Sequence, residues 1–233
     1  MAETFKTFKA LSALLCYPGE DLREAAGGIA AVIRSEGLVD PDALSGLDRL
    51  FGEFERLDLF ELQERYVELF DKSRRLSLHL FEHVHGESRD RGQAIVDLAA
   101  LYEKGGLMLA ANELPDYLPL FLEYLSTRPL DEARGVLADA LHIVAAIEER
   151  LAARGSSYAA VLRAIRSICG EAAIAPGSDA MAEAEPDDLA ALDADWEESA
   201  VVFGPGEAMN GCSVDRLRTQ VRASRRDARL PAN

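Results

Sequence analysis

Apolar residues recur at helical spacing from Phe5 to about Ala173. Phe5, Phe8, Leu11 and Leu15 repeat every three or four positions, which places them on one helix face. Tyr17-Pro18-Gly19 stops that helix, because proline lacks the backbone donor and glycine favours the turn. Asp21 caps a second helix reaching about Glu36. Asp40-Pro41 starts a third, carried by Leu44, Leu47, Phe51, Phe54 and Leu57. A fourth runs from near Leu59 to about Asp71. Leu76, Leu80 and Val84 recur every four residues and predict a fifth, stopped by Gly86. Arg75, His79, Glu82 and His83 form a polar stripe beside that apolar row. Ser88 is the expected N-cap of a sixth helix, with Ile95, Leu98 and Tyr102 on its face and Gly105-Gly106 at its end.

After a loop at Asn112–Pro115, a short helix carries Leu118, Phe121, Leu122 and Leu125 on one side and Tyr117, Leu120 and Tyr124 on the other. A helix apolar nearly all round belongs at the centre of a fold. Pro129, with Asp131 and Glu132 in the first turn, opens a long helix on Leu137, Leu141, Val144 and Leu151, which Gly155 ends. The last runs from about Ser157 to Cys169. No segment shows period-two alternation with Asn-Gly-type turns, so the expected fold is all-α, a single globular bundle of about nine helices over residues 1–173. Residues 174–233 differ in composition. Pro176-Gly177-Ser178 is a breaker, Asp179–Glu198 holds nine acids and no Lys or Arg, and Arg216–Arg229 holds six arginines. This reads as a largely disordered tail, acidic then arginine-rich, in which Trp196, Val201, Val202 and Phe203 could form a short docking segment.

Charge narrows the function. The net charge of −16 opposes binding to a nucleic-acid backbone or an anionic membrane, and favours basic or apolar segments of another protein. Cys16, Cys169 and Cys212 are far apart and show no CxxC spacing, which suits a reducing compartment and argues against a disulfide framework or zinc-thiolate site. The N-terminal apolar run is broken by Lys6, Lys9 and Ser12, and no apolar run approaches the ~18–20 residues that span a bilayer. The expectation is a cytoplasmic protein.

Catalytic patterns are sparse. No G-x-S-x-G and no phosphate-binding glycine loop occurs. His79-Leu80-Phe81-Glu82-His83 matches H-x-x-E-H, and on a helix both histidines would share a face, as a zinc hydrolase requires. Asp116 fits an N-cap for the apolar helix that follows it. Arg74, Arg75, Glu82, Glu87, Arg89, Asp90 and Arg91 read either as a solvated, salt-bridged surface or as the rim of a groove.

The run LFDKSRRLSLHLFEHVHGESRDRGQAIVDL, followed by NELPDYLPLFLEYLS, resembles the NarJ-type nitrate reductase assembly chaperones, the delta subunit family within the wider redox enzyme maturation chaperones. The likeness is dense over Tyr66–Ser126, looser from Phe5 to about Ala173, and echoed at Trp196-Glu197-Glu198. It implies a non-catalytic private chaperone with no cofactor of its own. Such a protein binds the N-terminal segment of the catalytic α subunit, or the α–β complex, keeps it competent for molybdenum cofactor insertion, and is not part of the final enzyme. The wider family carries a Glu-Pro-x-Asp-His signature linked to leader-peptide binding. Here Glu113-Leu114-Pro115-Asp116-Tyr117 stands at that place, with proline displaced by one and tyrosine in place of histidine. The resemblance implies a peptide groove with Leu78, Phe81, Tyr117, Leu120 and Tyr124 as floor and Arg75, Glu82 and Asp116 at the rim. A generic helical adaptor is the remaining alternative.

Overall fold

Side chains cap some helix starts and not others: Asp21, expected to cap the second helix, lies inside its first turn, and the N-cap is Gly19 with no side-chain bond. The computed structural model describes residues 5–84, 90–110 and 113–170, with Asp90 as backbone only. All fall in the first of the two units into which the chain divides, Met1–Asp187 and Asp188–Asn233. The expected stop at Gly86, the cap at Ser88 and everything after Gly170 lie outside the described residues, as do Glu87 and Arg89.

Eight α-helices are present among the described residues: α1 Lys6–Leu14, α2 Glu20–Glu36, α3 Pro41–Arg56, α4 Leu59–Tyr66, α5 Asp90–Lys104, α6 Leu118–Ser126, α7 Leu130–Ala153 and α8 Ala159–Cys169. Asp40 caps α3 by accepting from Ala43 N–H at 2.7 Å, with Pro41 at the first helical position. Asp58 and Glu61 form a reciprocal capping box on α4. Phe5 gives α1 no side-chain cap. Glu36 at the end of α2 supplies one instead, accepting from Lys6 N–H at 2.9 Å and Thr7 N–H at 2.7 Å. A carboxylate at a helix N-terminus satisfies orphan donors and complements the helix dipole.

α1 and α6 lie at the centre. Phe8, Leu11 and Leu14 of α1 and Leu118, Leu122 and Leu125 of α6 are at most 1% exposed, and burying each such side chain contributes about 1.5–3 kcal/mol. The Ser12 hydroxyl donates to Pro119 C=O at 2.6 Å, which fixes the two helices axially. α7 packs on α8, and the buried Glu148 of α7 holds Arg163 and Arg166 of α8. α4 runs into a π-helical turn, Val67–Asp71, so the predicted fourth helix has its expected extent but widens at its end.

The predicted helix over Leu76–Val84 does not exist. A 3₁₀ turn at Arg74–Leu76 is followed by extended backbone and a second 3₁₀ turn at Leu80–Glu82. The buried apolar residues are Leu76, Leu78 and Leu80, while Val84 is 51% exposed. The true apolar period is therefore two, and the i, i+4 row was coincidental. His79 makes an isolated antiparallel bridge with Tyr117, closed by Leu80 N–H to Asp116 C=O at 2.9 Å and Leu118 N–H to Leu78 C=O at 2.8 Å.

The C-terminal end of α5 is tied to α6. The Tyr102 ring stacks on Tyr124 of α6 with centroids 4.6 Å apart, and its hydroxyl donates to Pro115 C=O at 2.7 Å. Arg128 lies over the Tyr124 ring and donates to Gly105 C=O at 2.6 Å. A Cβ on Gly105 would stand 2.6 Å from Tyr124 Cε2, so only glycine lets the end of α5 come this close. Tyr124 is 1% exposed and acts as a core residue. Tyr124→Ala should lose about 3–5 kcal/mol of stability, as large-to-small aromatic changes do. Gly105→Ala should lose about 1–3 kcal/mol through overpacking. Urea denaturation measures both, and losses under 1 kcal/mol for each would show that this joint does not hold α5.

Candidate functional site

The site is the junction where Ser77–Glu82, the Glu113–Leu118 loop and the first turn of α5 meet. Its centre is Asp116, with 0% exposure. One carboxylate oxygen accepts from His79 Nδ1 at 3.1 Å. The other accepts from Phe81 N–H at 3.3 Å and lies 3.7 Å from the Arg91 guanidinium. Arg91 also donates to Glu82 at 3.2 Å. Asp116 is thus not the N-cap of α6. That position is Tyr117, with no side-chain cap, and Asp116 reaches back to the extended segment instead. A buried carboxylate is tolerable only with its charge met and its lone pairs used, and here three groups do so.

The histidines are committed to different partners. His79 Nδ1–H donates to Asp116, and the ring tilts on Tyr117 with centroids 5.3 Å apart. His83 Nε2–H donates to Ser77 C=O at 2.8 Å. With no helix here, the two rings and Glu82 do not share a face, and no group of three metal-ligating side chains occurs among the described residues. The geometric basis of the zinc-hydrolase reading is therefore gone.

The expected groove residues separate into two sets. Leu78 and Tyr124 are buried, at 3% and 1% exposure, and with Asp116 they support the surface from beneath. Phe81, Glu82, Tyr117 and Leu120 are half-buried and border the junction or lie on the adjoining turn of α6. Arg75 stands apart, beside α7. Its C=O accepts from Arg150 at 2.8 Å, and one of its guanidinium nitrogens is buried without a partner among the described residues. The exposed Val84 and Leu114 lie two residues in sequence from Glu82 and Asp116. Sequence reasoning missed three supports. Tyr66 donates its hydroxyl to Leu15 C=O at 2.9 Å and lies 3.2 Å from the Tyr117 hydroxyl. Tyr102 and Ser77 are the others. The Leu-Ser-Leu-His-Leu alternation was the signal that could have found this segment.

The arrangement brings together half-open rings and aliphatic groups around a satisfied ionic centre, with no group of metal-ligating side chains among the described residues. It is suited to holding a partner segment. Asp116→Asn keeps the side-chain volume but removes the charge facing His79 and Arg91. It should lower stability by about 1–3 kcal/mol in urea, and a change below 0.5 kcal/mol would mean the carboxylate is not structural.

Burial lowers the His83 pKa below its ordinary 6.5, outweighing the bond to Ser77 that raises it. The unfolded chain therefore takes up this proton first as pH falls. His83 contributes its full stability above about pH 6.5 and loses it as pH drops towards the folded-state pKa. His83→Gln keeps a donor near Ser77 C=O and should flatten the acid-side loss of stability below about pH 6.5. An unchanged slope would assign that loss to other groups.

A family model described as nitrate reductase delta subunit matches residues 21–164 of this chain. The nitrate reductase molybdenum cofactor assembly chaperone NarJ of Escherichia coli K12 is 43% identical over 199 residues, 83% of each chain. A crystal structure of a candidate redox enzyme maturation protein from Archaeoglobus fulgidus aligns with a TM-score of 0.52 at 25% identity, over 71% of this chain and 93% of that one.

Proposed function

The chain belongs to the nitrate reductase delta subunit family, and on that premise we propose that it is a dedicated, non-catalytic chaperone of nitrate reductase maturation. The observation that carries this reading is the 43% identity with NarJ, spread over 83% of both chains. The bound partner is a nitrate reductase subunit, specifically the N-terminal segment of the catalytic α subunit. The molybdenum cofactor is that client's cargo. The work is done in the cytoplasm. No described helix is long and apolar enough to cross a membrane, which is compatible with that placement.

The physical task is to hold a segment without reacting with it. A protein that binds one client state stabilises it by RT ln(1 + [L]/Kd), so a micromolar complex, about −8 kcal/mol, is enough to hold it and still lets go. The half-buried Phe81, Tyr117 and Leu120 supply apolar contact for one face of a client helix. Glu82 lies at the edge, and the net charge of −16 favours a basic segment. In this reading residues 1–173 form the binding domain, and residues 174–233 serve assembly rather than peptide contact.

Calorimetry with the client's N-terminal peptide tests the reading. Tyr117→Ala and Phe81→Ala should each weaken binding by about 1–3 kcal/mol, as aromatic anchors do, while a chain ending at Ala173 should bind within about threefold of the full chain. Unchanged affinity in both substitutions places the contact elsewhere on the protein. Equal affinity for an unrelated leader peptide would favour the generic adaptor.

A further inference from the structure

At the junction, His79 links a buried charge to open solvent. Its backbone is fixed first. Leu80 N–H to Asp116 C=O at 2.9 Å and Leu118 N–H to Leu78 C=O at 2.8 Å flank the His79–Tyr117 bridge. The two residues are therefore a non-hydrogen-bonded antiparallel pair, whose side chains rise close together on one face. Alternation settles which face. Leu78, Leu80, Asp116 and Leu118 are all buried on the core side, so His79 and Tyr117 stand on the other. The His79 side chain is 31% exposed, and its ring lies 5.3 Å from that of Tyr117.

Proton counting then sets what the two rings offer. Asp116 only accepts, so His79 Nδ1 carries the hydrogen of their 3.1 Å bond. Phe81 N–H at 3.3 Å and the Arg91 guanidinium at 3.7 Å meet the other carboxylate oxygen, so the ring need not carry a second proton to answer the charge. In the neutral ring Nε2 is an acceptor. It makes no hydrogen bond among the described residues and is not a buried orphan, so it opens to solvent. Tyr66 gives its single O–H to Leu15 C=O at 2.9 Å. The 3.2 Å contact between the Tyr66 and Tyr117 hydroxyls is then a donation from Tyr117, which keeps only lone pairs for any further partner. Two neighbouring rings thus both present acceptors.

We propose that His79 is a specificity-determining residue of the client-binding face: Asp116 orients its ring, and Nε2 accepts a hydrogen bond from an N–H or O–H of the client segment. This rests on the reading of that face given above. Phe81 and Leu120 supply apolar contact, which has no direction, so the oriented acceptor fixes which client residue stands beside it. A client carboxylate placed there would meet lone pairs on both rings and be rejected.

Two substitutions separate the inward bond of the ring from the outward one. Asparagine reaches about as far as Nδ1, so His79→Asn keeps a donor for Asp116 and removes the outward acceptor. It should leave the urea midpoint near that of the wild type and weaken binding of the α subunit's N-terminal peptide about three- to tenfold. Glutamine reaches about as far as Nε2, so His79→Gln should lower the urea midpoint yet bind the peptide within about twofold of the wild type. Nitrogen NMR of the wild-type imidazole carries the test should either variant fold poorly. Nε2 should be unprotonated in the free chain and shift when peptide is added, with Nδ1 protonated throughout. Unchanged affinity in His79→Asn overturns the proposal, as does an Nε2 that is protonated in the complex or does not respond to peptide. Tyr117→Ala tells which claim has failed. If it weakens binding and His79→Asn does not, the face stands without His79; if neither does, the client binds elsewhere.

Discussion

A carboxylate with no solvent exposure can stay in a protein interior only where its charge is answered, and Asp116 is answered by three groups from two separate stretches of chain. His79 Nδ1 and Phe81 N–H come from the extended segment, and the Arg91 guanidinium from α5. Removing any one would leave the others bearing a partly unmet buried charge, which is more costly than never having buried it. The interaction therefore selects one arrangement of the loop, the extended segment and the first turn of α5. The backbone bridge at His79–Tyr117 fixes the same arrangement through uncharged bonds, and both depend on Asp116 lying just before α6.

The helices were legible because their signals are local. Asp40-Pro41 and Gly155 each act within a few residues, and the structure uses each as the sequence implies. The failure at Leu76–Val84 has an equally physical origin. Leu76 and Leu80 satisfy both a four-residue and a two-residue repeat, and only the burial of Leu78 separates the two. What decides in favour of the extended form is Asp116, some forty residues away in sequence, and no local pattern contains that information. The same limit explains Tyr124. Its place on an apolar face was correct, but its partner is Tyr102 on another helix, so it stacks in the core. Tyr117 and Asp116 were found as candidates through the family signature, whereas the role of Asp116 as an internal tie, in place of a cap, needed coordinates.

The tyrosines show how the polar parts of this interior are kept compatible with burial. Tyr66, Tyr102 and Tyr158 each place a ring among apolar neighbours, and burial raises the pKa of each. Tyr66 and Tyr102 then donate to backbone carbonyls, at Leu15 and Pro115. These bonds tie irregular backbone to the core where α1 ends and just before α6 begins. Tyr158 has the same burial, and its hydroxyl has no hydrogen-bond partner among the described residues.

α5 is held differently from the other elements around the junction. Tyr102 is its one fully buried side chain among those described, while Ile95, Leu98 and Leu101 are half-buried and Val96 is 59% exposed. Its attachment therefore rests on a stacked ring at one end and the Arg91 pairs at the other, with little apolar burial between. Elements with few buried contacts open at lower free energy than the core. α6, by contrast, is anchored through Leu118, Leu122 and Leu125. A partner-binding face between these helices would have one rigid wall and one yielding wall. Such a face could open on the α5 side while Tyr117 and its supports stay in place, which would let a bound segment enter and leave without disturbing the core.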